Sequence, residues 1–277
     1  MLKILIFGDI VGEVGRKALS HFINKNKEKF QPDLIIANGE NASGGIGITP
    51  KNADDLFSMG VDIITSGNHI WKHKEILKYF DSNNKIIRPL NYGDNAPGKG
   101  WVLFSKNNIK ILVINLLGQV FMDPLFPPIF SFETLYEKEK QTFESADCII
   151  LDFHAEATAE KVAIGYYLKD RVNLIFGTHT HVQTADESFL SDKTAYITDI
   201  GMTGPLNSVI GMQVDIIIEK FRTMMPKAFK VADGDAQVNG IYFVFDEVNK
   251  KVIEIQRIFE KIPVQSLQKS ENTDPKF

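Results

Sequence analysis

The chain has 277 residues, 44% of them hydrophobic and 24% charged, enough apolar material for a sizeable core and too much for a disordered polymer. A formal charge of −4 excludes a global basic field that would recruit nucleic acid or an anionic membrane. The single cysteine, Cys148, excludes an intramolecular disulfide framework and suits a reducing cytosol; beside Ile149-Ile150-Leu151 it reads as a buried strand residue.

Residues 1–7 meet Gly8-Asp9 after about one strand length, too short for a signal-peptide core. No run approaches the roughly 18 apolar residues of a membrane span, so a soluble cytoplasmic protein with no membrane partner is expected. Residues 3–7 read as a buried strand, and Ala18, Leu19, Phe22 and Ile23 have the spacing of an amphipathic helix behind it. The order then repeats: a strand at 34–37, a loop rich in Gly and Asn, and a helix entered at Thr49-Pro50, an N-cap followed by proline in the first turn. A third short strand at 63–65 precedes a helical stretch at 72–80. Strand, loop and helix repeated in this way predict parallel pairing. From Trp101 the texture changes to a hairpin, 101–105 and 109–116 about Lys106-Asn107-Asn108. Residues 119–131 carry Pro124, Pro127 and Pro128 among several phenylalanines, which bars a continued helix or a central strand and reads as an ordered cap or subunit contact. A helix at 133–145 leads to a strand at 149–151 and a helix at 158–168 to a strand at 174–176; strands at 195–198, 241–245 and 252–259 complete the sheets. No solenoid-length repeat or linker divides the chain, so a single domain over 1–262 is expected, with a polar, mobile tail over 263–277.

The chemistry gathers where strands end. Asp9 follows the first strand, Glu40-Asn41 the second, Asn68-His69 the third, His154 the strand at 149–151, and His179 and His181 the strand at 174–176. Ligands of open α/β sheets bind beyond the carboxyl ends of strands, so these side chains are expected to converge at one edge. Imidazole nitrogens, carboxylates and amide oxygens coordinate metal ions at about 2.0–2.6 Å, and the set is large enough for two ions. Asp9, Glu40, Asn41 and His181 can serve one ion, and Asn68, His154 and His179 the other, with Glu40 bridging. A bridging carboxylate holds such a pair about 3.5–4 Å apart, the separation that clamps the attacking and leaving oxygens of phosphoryl transfer. Mixed nitrogen and oxygen donors favour iron, manganese or zinc over magnesium or calcium. Two cations would neutralise an anionic phosphodiester and present a bridging hydroxide for in-line attack, and His69, beside Asn68, is the candidate to protonate the leaving oxygen.

This arrangement resembles the calcineurin-like metallophosphoesterases. Gly67-Asn68-His69 and Thr178-His179-Thr180-His181 keep that superfamily's pattern, whereas its usual Gly-Asp-x-His has become Gly8-Asp9-Ile10-Val11 and its usual Gly-Asp-x-x-Asp has become Asn38-Gly39-Glu40-Asn41-Ala42. Asn41 can take the place of the missing first histidine. Together with Asp152-Phe153-His154-Ala155-Glu156-Ala157-Thr158 and Thr198-Asp199-Ile200-Gly201-Met202-Thr203-Gly204-Pro205, the combination is similar to the YmdB-like bacterial subfamily of cyclic-nucleotide phosphodiesterases, in order from residue 3 to residue 259. The resemblance implies a four-layer α/β/β/α sandwich of mixed sheets flanked by helices and a dinuclear site commonly holding iron. It also implies hydrolysis of 2′,3′-cyclic nucleotides or related phosphodiesters, a homo-oligomer and, for some relatives, partners in RNA turnover.

Two other readings stay open at this point. A phosphomonoesterase or 5′-nucleotidase would use nearly the same metal set, and a metal-stabilised regulatory protein would bind a partner through the Pro- and Phe-containing segment at 121–132. Gly44-Gly45-Ile46-Gly47 reads as a flexible turn or a backbone cradle for phosphate, and Gly201-Met202-Thr203-Gly204 as pocket wall or tight turn. His73 and His21 read as packing or surface residues. Gly8, Gly12 and Gly15 lack the dinucleotide spacing, and the sequence contains neither a P-loop nor a Gly-x-Ser-x-Gly elbow.

Overall fold

A computed structural model of the chain describes residues 1–269. Its first part alternates β1 (Leu2–Phe7), α1 (Gly12–Phe30), β2 (Leu34–Asn38), α2 (Pro50–Ser58), β3 (Ile63–Thr65) and α3 (Ile76–Ser82). The hairpin β4 (Trp101–Lys106) and β5 (Ile109–Leu117) follows, then α4 (Pro128–Lys138), α5 (Lys140–Ser145), β6 (Cys148–His154), α6 (Thr158–Tyr167) and β7 (Leu174–Thr178). The remainder is β8 (Ser188–Phe189), β9 (Ala195–Ile197), β10 (Gly204–Pro205), α7 (Val214–Thr223), β11 (Ala236–Asp246), β12 (Lys251–Ile262) and α8 (Val264–Lys269).

Successive side chains leave a strand on opposite faces, so alternation assigns each strand residue to one of two cores. In β1, Leu2, Ile4 and Ile6 share a core with Ile111 and Val113 of β5, Ile150 of β6 and Phe176 of β7. Leu5 and Phe7 face the other way and pack with Ala18, Leu19 and Phe22 of α1 and Leu56 of α2. The second sheet mirrors this: Leu112, Ile114 and Leu116 of β5 turn towards Phe132 of α4, Phe143 of α5 and Ile164 of α6. Helix, sheet, sheet, helix results, the α/β/β/α sandwich expected. One sheet is ordered β10-β11-β1-β2-β3 with β12 also on β11, and the other β4-β5-β6-β7-β9-β8. Strands β1, β2 and β3 run parallel, as do β5, β6, β7 and β9, whereas β11 and β4 pair antiparallel to their neighbours, which makes both sheets mixed. Parallel strands send their carboxyl ends to one edge of a sheet, and this is what positions the candidate ligands.

Some local features depart from expectation, each for a physical reason. Pro127-Pro128 starts a helix instead of barring one: α4 begins at Pro128, because a first-turn residue has no intrahelical N–H bond to lose. The helix expected at 133–145 is accordingly longer, and it divides at Glu139 into α4 and α5. The segment before it is tied down by Asn91 Nδ2 donating to Phe126 O at 3.0 Å and by Glu160, which accepts the Gln119 N–H at 2.9 Å. Its Phe121 and Phe126 stay exposed, as does Phe130 in the first turn of α4. Helix α7 answers to no expected element, since Ile216-Ile217-Ile218 has the β-branched texture of a strand. The tail expected from residue 263 begins as α8, because Leu267 buries itself in the core beneath α1; residues 270–277 lie outside the described residues. Among the described residues no helix is long and apolar enough to cross a membrane.

Cys148 lies in the core between the sheets, and burial pushes its thiol well above the ordinary range. The folded protein is expected to leave an aromatic disulfide reagent unreacted, while the urea-unfolded chain releases one thiol equivalent. Prompt reaction of the native protein would contradict the packing of β6 against the first sheet.

Candidate metal centre

Asp9 follows β1, Glu40 and Asn41 follow β2, Asn68 and His69 follow β3, His154 closes β6, and His179 and His181 follow β7. Both sheets thus deliver ligand-type side chains to one place. His154 Nε2 lies 3.3 Å from Glu40 Oε2, 3.2 Å from Asn68 Oδ1 and 3.1 Å from His179 Nδ1. Asn41 Nδ2 donates to Glu40 Oε1 at 3.0 Å and approaches His181 Nε2 at 3.2 Å; that nitrogen stands 3.7 Å from Asp9 Oδ1. Asp9 Oδ2 accepts the backbone N–H of His179 at 3.1 Å. His69 points Nδ1 at Asn41 Oδ1, 2.8 Å away, and donates its backbone N–H to Glu40 Oε2 at 3.1 Å. Every residue singled out from the sequence as ligand or acid joins this cluster. Gly67 makes the approach feasible, because a Cβ there would run into Glu40 Oε2 and the His154 ring.

Each candidate histidine ligand is oriented by a partner behind it. His154 Nδ1 is 2.8 Å from Thr178 Oγ1, whose hydroxyl donates to Asp152 Oδ1 at 2.7 Å. Asp152 Oδ2 in turn accepts from Thr65 Oγ1 at 2.5 Å and from Asn38 Nδ2 at 3.2 Å. His179 Nε2 is 3.1 Å from Glu156 Oε2, and His181 Nδ1 donates to Ile210 O at 2.9 Å. In the neutral tautomer with the proton on the outer nitrogen, the other nitrogen of each ring would offer a lone pair to the cluster. That of His154 would face the oxygens of Glu40 and Asn68, and beside them Asp9 Oδ1 is buried with no hydrogen bond from any described residue. Acceptors crowded against acceptors around an orphaned buried oxygen are compensated by a cation. The donor set therefore fits a metal; ligand atoms of Glu40, His154 and His179 all lie within 4.8 Å of one another.

The titration behaviour has the same cause. Burial raises the Asp9 carboxyl despite His181 and His154 nearby. Burial works against ionised Glu40 as well, but His154 and His69 outweigh it and hold that carboxyl well below its usual range. Burial alone would depress His154, yet Glu40 and Asp9 lift it to about 9. His179 falls to about 3, through burial first and the neighbouring His154 second. Glu40 and Asp9 thus hold a second proton on His154, whose place a bound cation would take, while His179 is already neutral, as a ligating imidazole must be.

A family model described as YmdB-like protein matches residues 5–258. The chain belongs to the YmdB-like family. A 2′,3′-cyclic-nucleotide 2′-phosphodiesterase of Bacillus subtilis is 43% identical over 258 residues, which cover 93% of this chain and 96% of that protein. A crystal structure of a phosphatase from Mycoplasma pneumoniae matches with a TM-score of 0.88 at 36% identity, covering 96% of this chain and 96% of that one. The NAD nucleotidase of Haemophilus influenzae shares the fold, with a TM-score of 0.54 at 15% identity over 95% of this chain and 56% of that one.

In this YmdB-like chain several supporting side chains escape a search for ligands alone. Asp152 sits two residues before His154 on the same face of β6, a polar residue in an otherwise apolar strand. Lys161 shares the buried stripe of α6 with Ile164, Gly165 and Leu168, at helical spacing, and donates to Asp199 Oδ2 at 2.7 Å. Asp199 Oδ2 also accepts the Thr180 N–H at 3.1 Å and the Thr180 hydroxyl at 2.8 Å, while Oδ1 accepts the Gly201 N–H at 2.8 Å. Thr180 separates His179 and His181, both in the left-handed region with φ of 102° and 65°. Such backbone costs about 1–3 kcal/mol per residue, so the ion pair restrains a strained loop between two candidate ligands. His73 has the packing role expected, with Nε2 3.1 Å from Ile46 O in the Gly44–Gly47 turn.

Lys161→Met would strand the Asp199 carboxylate in a buried site. A loss of about 3–5 kcal/mol in urea-induced unfolding is expected, and a loss under about 1 kcal/mol would mean the pair does not restrain the loop.

Proposed function

We propose that the protein is a phosphodiesterase that works on a pair of transition-metal ions and hydrolyses 2′,3′-cyclic nucleotides or related phosphodiesters. The observation that carries this is the inward convergence of lone pairs from His154, His179, Glu40 and Asn68 beside the unbonded Asp9 Oδ1. Asp9, Glu40, Asn41 and His181 would hold one ion and Asn68, His154 and His179 the other, with Glu40 between them. Iron agrees with the resemblance, and the donor set also suits manganese or zinc. The 2′,3′-cyclic-nucleotide 2′-phosphodiesterase activity of the Bacillus subtilis relative supports the substrate class.

When bound, the metals neutralise the diester's negative charge and lower the pKa of the attacking water. The chain's own residues do the rest. Hydrolysis forms a P–O bond from water and breaks the bond to a ribose oxygen, which needs a proton as it leaves. His69 Nδ1 faces two acceptors, Asn41 Oδ1 at 2.8 Å and Glu40 Oε1 at 3.1 Å, so it carries a hydrogen, and in the imidazolium form the second proton sits on Nε2, from which it passes to the leaving oxygen as the ring becomes neutral. Asn41 thereby couples the acid to the cluster, since its amide also donates to Glu40. Thr178 and Asp152 hold the His154 ring in place and keep its Nε2 directed inwards.

A phosphomonoesterase would use nearly the same donors, and the Mycoplasma pneumoniae relative is described as a phosphatase. Comparing bis-p-nitrophenyl phosphate with p-nitrophenyl phosphate separates the two, and preference for the monoester would overturn the diesterase reading. Protein purified without added metal is expected to carry about two transition-metal ions per chain, with turnover of 2′,3′-cyclic AMP abolished by chelation and restored by metal. His69→Ala should lower kcat about 10²- to 10⁴-fold with metal content retained, whereas Glu40→Gln should lower both. Metal loss in the His69 variant would make it a structural residue of the centre instead of its acid.

A further inference from the structure

The cluster occupies only part of its cavity. A space of about 730 Å³ is lined by Glu40, His69 and His181 and also by Met212, Phe221 and Phe229. Its volume falls within the range of small-molecule sites, about 300–1,000 Å³. The apolar side does nothing for a phosphate, which needs charge and hydrogen bonds. Phe221 is 72% exposed and Phe229 46% exposed, so two aromatic rings stand open to solvent in part beside the candidate metal centre. We propose that this apolar wall is a nucleobase-binding site, which selects a nucleotide by stacking its base while the histidine and carboxylate cluster holds its phosphodiester. The proposal rests on the phosphodiesterase reading above and assigns the substrate's other half.

Three observations support one occupant reaching both parts. First, wall and cluster are built on one scaffold. Ile210 O accepts the His181 Nδ1–H at 2.9 Å, and the loop that carries it pairs Val209 with Met212 and Met212 with Val231. The Gln213 N–H donates to Lys230 O at 2.9 Å, which fixes the segment after Phe229 against the start of α7. The distance from wall to ligand is thereby set by hydrogen bonds. Second, the wall has the chemistry of a base platform. Aromatic rings accept the π-face of any base, and Lys220 Nζ, 4.5 Å from the centre of the Phe229 ring, adds a cation to the same wall. Third, the wall is continuous with the candidate site. Ile46 reaches the cavity from the Gly44–Gly47 turn after β2, the same connection that carries Glu40 and Asn41, and Gly45 there has no room for a Cβ because Met212 and Val231 close on it. A ligand anchored at Glu40 and His69 therefore has aromatic surface within the same enclosure.

The test compares kcat/KM for 2′,3′-cyclic AMP with that for ribose 2′,3′-cyclic phosphate, which keeps the reacting ring and lacks the base. Wild type is expected to favour the nucleotide about tenfold to a hundredfold, and Phe221→Ala and Phe229→Ala each to lose about fivefold or more of that preference. Phe221→Trp should retain it. Metal content and circular dichroism of each variant identify any loss that comes from the centre or the fold, and the wild-type comparison needs no variant at all. Absence of a base preference in wild type, or alanine variants that keep it in full, overturns the proposal while leaving the phosphodiesterase reading intact. Failure of wild type on both cyclic phosphates, with turnover of p-nitrophenyl phosphate instead, overturns that reading and the base site together. A dimer in sedimentation that Phe221→Ala splits with the preference unchanged would assign the wall to a second copy of the chain, which also overturns it.

Discussion

Positive charge among buried acceptors is the requirement around which this molecule is organised. Asp9 and Glu40 are both removed from water, and an isolated carboxylate in such a place costs several kcal/mol. Histidine neighbours meet part of that cost. Glu40 is held ionised by His154 and His69, but Asp9 is pushed towards its neutral form by burial, and its Oδ1 finds no donor among the described residues. His179, kept neutral by burial, adds a lone pair and no charge to that compensation. A bound cation would satisfy carboxylate, amide and imidazole together, and would link loading of the site to stability of the strand ends that build it.

The frame is correspondingly rigid where ligands attach. Donors from β1, β2 and β3 must meet donors from β6 and β7, which belong to the other sheet, so their separation depends on the core between the sheets. Ile4 and Ile6, Ile150 and Phe176 fill that space. Where the chain must leave the strands, specific devices take over: Gly67 lets Glu40 and His154 close together, and the Lys161–Asp199 pair holds Thr180 between two histidines in left-handed backbone.

The sequence revealed the candidate ligands more readily than the side chains behind them. Asp9, Glu40, Asn68, His154, His179 and His181 each follow an apolar run, and parallel pairing alone carries such residues to a common edge. The layered arrangement was expected from the family resemblance alone, because β1 and β5 are apolar on both faces and carry no alternation that separates one core from the next. Partners such as Glu156, Thr178 and Ile210 O were hidden, because a hydrogen bond across long sequence separation leaves no periodic trace. Lys161 and Asp152 were legible in principle: a lysine on a buried helical stripe and an aspartate two positions from a histidine on one strand face both violate their local pattern. Helix α7 was missed because Ile216-Ile217-Ile218 imitates a strand, and α8 because a single buried leucine, Leu267, anchors a segment that is otherwise polar.

Helix α7 lies between β10 and β11 in the chain, outside the repeated strand-loop-helix units that supply the ligands. Its contribution to the cavity comes from Ile217 and Phe221, and the neighbouring loop adds Met212. Substitution there changes what the cavity can accept without moving any donor of the centre, since those donors are held by the sheets. One link breaks the separation: the Ile210 carbonyl fixes which nitrogen of His181 faces inwards. A change that displaced the Ile210 backbone would free that ring to turn, so side chains of this loop can vary only while its main chain stays in place. The centre and the wall therefore meet at the hydrogen bond from His181 to Ile210 O and where the Gly44–Gly47 turn packs on Met212 and Val231.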